Sequence, residues 1–225
     1  MAHQALILAI RDQLQAQADP VRAEGAQRYM KSVQPYYGVR VPVVRKIVSE
    51  AWKRYPCDSP EELYDTAQAL WRSAAYREER YAAIDLTGLR MARGRLEFLP
   101  LFVEMIVTGA WWDLVDALAR NNARLLDAHP QQMIPTVRAW STDSDMWLRR
   151  SSVLSQLGRK KDTDRELLSE VILANTGDKE FFIRKAIGWA LREYAKTDPE
   201  WVQQFVKHHQ DSLSPLSTRE SLKNM

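Results

Sequence analysis

The chain has 225 residues, 45% hydrophobic and 27% charged, with eight glycines, one cysteine and a formal net charge of +3. That is the composition of a globular protein long enough to bury a substantial core, as a single domain over residues 1–225 or as an array of repeats. The lone Cys57 excludes an intramolecular disulfide and a thiolate-rich zinc site. The four histidines lack metal-ligand spacing, and no apolar run approaches the ~20 residues of a membrane span.

From the N-terminus, MAHQALILAIRDQLQAQ reads as an amphipathic helix over 3–17. Charges and glutamines follow its apolar patch and no small-residue cleavage site is obvious, so it is not read as a signal peptide. The expected setting is a reducing cytoplasm. A capping residue precedes proline at Asp19-Pro20, Ser59-Pro60, Asp198-Pro199 and Ser214-Pro215, and Ser59 to Glu62 has capping-box spacing. Between these marks apolar residues recur at three and four. Helices are expected over 20–31, 42–54, 60–72, 74–92, 95–107, 110–125, 130–139, 144–157, 163–175, 179–196 and 199–209, with a last turn from 215. Strand-like alternation is absent. Short helices on short links suggest an all-α chain, an α-solenoid of stacked antiparallel HEAT-like pairs with a repeat of about 35–45 residues. A compact all-α bundle is the other arrangement this pattern allows.

Three helices carry more than a core stripe needs. In 110–125, Trp111, Leu114, Val115 and Leu118 form the apolar stripe. Trp112 and Asp116 stand off it as i,i+4 neighbours, with Ala119 and Ala123 leaving a low shelf beside them. This pair either packs against a neighbouring helix or faces a ligand. In 144–157, Arg149 falls on the polar side, whereas Arg150 falls among Trp147, Val153, Leu154 and Leu157. A guanidinium so placed needs a carboxylate or a phosphate, so an internal salt bridge and a phosphate contact are both open. In 179–196, Phe182, Ile183, Ala186, Ile187, Ala190, Leu191 and Tyr194 share the apolar face. Trp189 lies in the same roughly 60° arc as Lys185, Arg192 and Lys196. That stripe is either a solvated face or part of an anion-binding surface. Basic clusters at 40–46 and 159–161, set against acidic ones at 61–65 and 162–170, would give a solenoid one concave basic groove suited to nucleic acid.

The segments WWDLVD (111–116), MWLRR (146–150) and FFIRKAIGWALREYAK (181–196) together resemble the AlkD family of DNA alkylation repair glycosylases, which are built from HEAT-like repeats. YMKSVQPYYGVRVPVVRKI (29–47), WRSAAYREERYAAID (71–85) and LSPLSTRESLK (213–223) extend the resemblance over nearly the whole chain. It implies a monofunctional DNA glycosylase that hydrolyses the N-glycosidic bond of positively charged N3- and N7-alkylated purines in duplex DNA. It also implies capture of the lesion without base flipping; no lysine stands out as a Schiff-base nucleophile, so strand cleavage is not expected, and neither is a cofactor or metal. Position by position, Trp112, Trp189 and Asp116 match the family's active-site tryptophans and carboxylate, and Arg150 its backbone-contacting arginine. Tyr29 matches a position near its cleft. Lys185 and Arg192 would join Arg150 on DNA phosphates. Arg40 departs from the family's neutral residue at that place, which bears on contact with the opposite strand, and the C-terminus stops early, so the last helix is expected to be incomplete. A monomer in the bacterial cytosol or nucleoid follows from the same resemblance. The competing class is a non-catalytic HEAT-repeat scaffold that binds nucleic acid or protein.

Overall fold

The structure, a computed structural model, describes residues 1–223. The chain folds as two compact units, Met1–Arg93 and a second beginning at Gly94. All regular structure among the described residues is helical, and each unit's helices pack mainly on near neighbours in sequence, as in an α-solenoid. Among the described residues no helix is long and apolar enough to cross a membrane.

The first unit holds α1 (Gln4–Ala16), α2 (Pro20–Met30), α3 (Val41–Arg54), α4 (Pro60–Arg72) and α5 (Arg77–Thr87). Leu6, Ile7, Ile10 and Leu14 repeat at helical spacing on α1, and all are buried where α1 meets α3. Asp19 and Ser59 cap α2 and α4 ahead of their prolines, as the dipeptides require. Helix α2 buries only Met30. The chain between α2 and α3 is held by one carboxylate: Glu78 accepts the backbone N–H groups of Tyr37, Gly38 and Val39 at 2.9, 2.8 and 3.0 Å. Gly38 has φ +84°, and a Cβ there would meet the Asp19 carbonyl oxygen at 2.2 Å, so only glycine fits. The helix expected over 74–92 is shorter. Tyr76 is extended, and beyond Gly88 the backbone closes i to i+3 turns at Leu89 and Ala92.

The second unit opens with a 3₁₀ turn at Leu96–Phe98. It continues through α6 (Leu99–Gly109), α7 (Trp112–Ala117), α8 (Ala119–Ala128), α9 (Pro130–Ser141), α10 (Met146–Val153), α11 (Arg165–Leu173), α12 (Phe181–Ala195), α13 (Pro199–His208) and α14 (Pro215–Ser221). Its core runs through Val153, Leu154, Leu168, Ile172, Ile183, Ala186, Ile187 and Leu191 to Val202 and Phe205. The most intimate pairing sets α14 across α12. It depends on Gly188, where a Cβ would meet the Glu220 Cβ at 2.4 Å and the Ser217 carbonyl oxygen at 2.9 Å. Residues 224 and 225 of the expected single domain lie outside the described residues.

Candidate active site

The single helix expected over 110–125 is two helices. Ala110 ends α6 in the left-handed region at φ +40°, Trp111 is extended, and α7 starts at Trp112. At Leu118 the ladder tightens: its N–H reaches the Val115 carbonyl at 3.1 Å, and Asn121 N–H reaches back to Leu118 at 2.9 Å, both i to i+3 bonds. Ala119 and Ala123, expected as a low shelf beside Trp112 and Asp116, are buried on the helix that follows the break. Before the break the spacing holds. Leu114 and Val115 are buried, while Trp112 and Asp116 stand one turn apart and only partly covered.

Helix α10 supplies the partner of Asp116. Asp145 caps it, accepting the N–H groups of Trp147 and Leu148 at 2.8 and 3.0 Å, which fixes where the two following arginines emerge. Arg149 ties down the approach to α12, reaching Asp178 at 3.0 Å and the carbonyls of Asp143 and Ser144. Arg150 turns inward, with 5% of its side chain exposed. Its Nε and Nη2 each donate to one carboxylate oxygen of Asp116 at 2.7 Å, and its Nη1 donates to the Phe182 carbonyl. Of the two partners open to Arg150, the structure displays the internal carboxylate. Three of its five N–H groups are engaged, leaving one on Nη1 and one on Nη2.

A cluster of rings lies on the Arg150 side of this pair. Trp111 lies 5.3 Å from Phe182 and 6.2 Å from Trp147, Trp147 lies 5.2 Å from Phe182, and the Arg150 guanidinium carbon sits 6.0 Å from the Phe182 centroid. In these apolar surroundings burial pushes the Asp116 carboxyl above the ordinary aspartate range. The Arg150 fork pulls it back, and nearby Asp113 adds to the rise. Each carboxylate oxygen keeps a lone pair not used by Arg150, so the group can still accept from water or face a developing cation.

On α12, Trp189 rests half-buried on the core cluster that includes Ala119 and Ala186. Lys185 and Arg192, one turn either side of it, are both held by Glu220 of α14, at 3.0 and 2.6 Å. Lys196 pairs with Glu193 at 2.5 Å. The cationic stripe is therefore locally paired and does not by itself make the basic groove expected from the sequence. Tyr29 and Arg40 belong to the first unit. Tyr29 is 77% exposed near the end of α2, and Arg40, also exposed, stands at the N-terminus of α3 with no side-chain cap bond. Two participants stand outside the sequence pattern. Helical spacing puts Phe182 on the apolar face of α12, yet its carbonyl holds Arg150. Glu220 carried no signal beyond its place in LSTRESLK.

The family model for DNA alkylation repair enzymes matches residues 10–225. The chain belongs to the DNA alkylation repair enzyme family. Among solved structures it is similar to a predicted DNA alkylation repair enzyme from Enterococcus faecalis, at 32% identity over 93% of this chain and 97% of that one, with a TM-score of 0.80. The crystal structure of smu.31 from Streptococcus mutans UA159 shares the fold at 18% identity, over 82% of this chain and 97% of that one, with a TM-score of 0.62. No curated protein matches. Membership of the DNA alkylation repair family gives the chain a role in DNA repair and DNA as its partner.

Proposed function

We propose that this DNA alkylation repair protein is a monofunctional glycosylase. It would release 3-methyladenine, 7-methylguanine and related cationic purines from duplex DNA, with Asp116 as the catalytic carboxylate. The observation that carries the reading is a carboxylate with 14% of its side chain exposed, held in one orientation by Arg150 and one turn from a half-covered tryptophan. Alkylation at N3 or N7 makes the base a good leaving group. The glycosidic electron pair departs with the base, which leaves neutral, and an oxocarbenium-like sugar remains. A fixed negative charge beside C1′ stabilises that cation, and a free carboxylate lone pair orients the water that attacks it. Two tryptophan faces, Trp112 and Trp189, each favour such a cation by roughly 0.5–2 kcal/mol. Arg150 holds the carboxylate, and on the family pattern its two remaining N–H groups are assigned to a phosphate. Lys185 and Arg192 are assigned to DNA phosphates; of the first unit's residues, Tyr29 is assigned to DNA on the family pattern and Arg40, which departs from that pattern, to contact with the opposite strand. On the same pattern the lesion is captured without base flipping, by a monomer acting as one domain over residues 1–225 in the cytoplasm.

The Asp116–Arg150 pair also suits a scaffold in which both groups only brace α7 against α10, so the second reading is a non-catalytic HEAT-like module that binds nucleic acid or protein. One assay separates them. Purified protein is incubated with methylated duplex DNA, without added metal or cofactor, and free alkylated base is measured. The glycosylase reading expects release by the wild type. It also expects a loss of at least about 100-fold in Asp116→Asn, with binding to abasic-analogue DNA retained. No release by the wild type, or full release by the variant, overturns it.

A further inference from the structure

Lys185 and Arg192 stand seven residues apart on α12, on either side of Trp189. Left to themselves, two cations at that spacing repel and move independently. Here both reach the same oxygen, Oε2 of Glu220, and Arg192 adds a bond of 3.2 Å to the Glu220 carbonyl. The carboxylate is the most covered of the three groups, 13% exposed against 37% for Lys185 and 25% for Arg192. It is therefore less accessible than either cation. The packing of its helix fixes its position. Helix α14 comes close only because Gly188 has no Cβ, and the Ser217 hydroxyl donates to the Arg184 carbonyl at 2.9 Å, one residue before Lys185. The two cations hold the Glu220 carboxyl down at about 2, so it is ionised at any working pH.

We propose that Glu220 is an internal counter-ion that weakens sequence- and damage-independent DNA binding by the Lys185–Arg192 pair, so that the stripe beside Trp189 carries about one net positive charge instead of two. The inference rests on the reading that this stripe faces DNA. A repair protein must leave undamaged duplex quickly, and phosphate contacts are blind to damage. A carboxylate sharing both cations lowers the attraction of every phosphate alike.

The test measures binding of the full chain to undamaged duplex over a salt series. Glu220→Gln keeps the size of the side chain against Gly188 and removes the charge. It should bind about 3- to 10-fold more tightly at low salt, with a salt slope steeper by about one phosphate contact. Lys185→Gln gives a second readout: it should cost little affinity in the wild type and clearly more in the Glu220→Gln background. Urea midpoints of all variants report folding. Unchanged or weaker binding by folded Glu220→Gln, or an equal cost of Lys185→Gln in both backgrounds, overturns the proposal. Base release is read separately. Tighter binding without release would sink the glycosylase reading and leave this inference standing, whereas release with unchanged Glu220→Gln binding would do the reverse.

Discussion

Arg150 closes on Asp116 through two hydrogen bonds of 2.7 Å, joining α10 to α7 across 34 residues of sequence. Its third bond, to Phe182, brings in the start of α12. The three helices that carry Trp112, Arg150 and Trp189 are thus tied at one guanidinium.

Removing that guanidinium leaves a carboxylate buried and unpaired. Arg150→Ala should lower stability by about 3 kcal/mol. The Asp116 carboxyl would then rise further, because burial acts without the opposing fork. A folded-state value above the unfolded one contributes stability that is present at low pH and lost as pH rises through the folded value. The urea midpoint of Arg150→Ala should therefore fall furthest behind wild type at pH 8 and recover toward pH 4. In single-turnover base release, the acid limb of the pH profile should move upward, since the protonated carboxyl cannot stabilise a cation. An unmoved limb would mean that Asp116 does not feel Arg150 during the reaction.

Asp85 offers a second pH signature, in the first unit. Its Oδ2 is buried without a hydrogen-bond partner, Arg45 approaches Oδ1 only to 3.7 Å, and burial pushes the carboxyl up to about 6. The folded value again lies above the unfolded one, so stability is lost as pH rises through about 6. Asp85→Asn should be more stable than wild type by about 1–3 kcal/mol at pH 8, with the gain gone near pH 4. Equal gains at both pH values would rule out ionisation as the cause.

Gly188→Ala places a methyl group 2.4 Å from the Glu220 Cβ and 2.9 Å from a backbone oxygen, neither of which is a flexible chain end. The expected cost is about 1–3 kcal/mol in urea unfolding, together with DNA binding altered in the direction of Glu220→Gln, because α14 must back away.

Ala110 holds a left-handed conformation at φ +40° just before the Trp111-Trp112 pair. Ala110→Gly removes the Cβ clash but gives the unfolded chain more freedom. A net gain of up to about 1 kcal/mol is expected, seen as a higher melting temperature. A loss would show that the alanine methyl makes a packing contribution larger than the strain.

Local chemistry was legible in the sequence. Proline after a capping residue located the starts of α2, α4, α13 and α14, and apolar spacing located the buried faces of α1 and α12. The break at Leu118 was not legible. It brings i+3 bonds into a run with no glycine or proline to mark it, so the single helix expected over 110–125 divides there into two.

Helical phase, set within a few residues, was enough to put Arg150 among apolar neighbours and Lys185, Trp189 and Arg192 on one edge of a helix. Which acid each cation meets depends on packing between distant helices. Asp116 is 34 residues from Arg150, and Glu220 is 28 from Arg192. Such contacts depend on how helices cross, here through a tightened turn at Leu118 and a missing Cβ at Gly188. Periodicity carries no record of either distance.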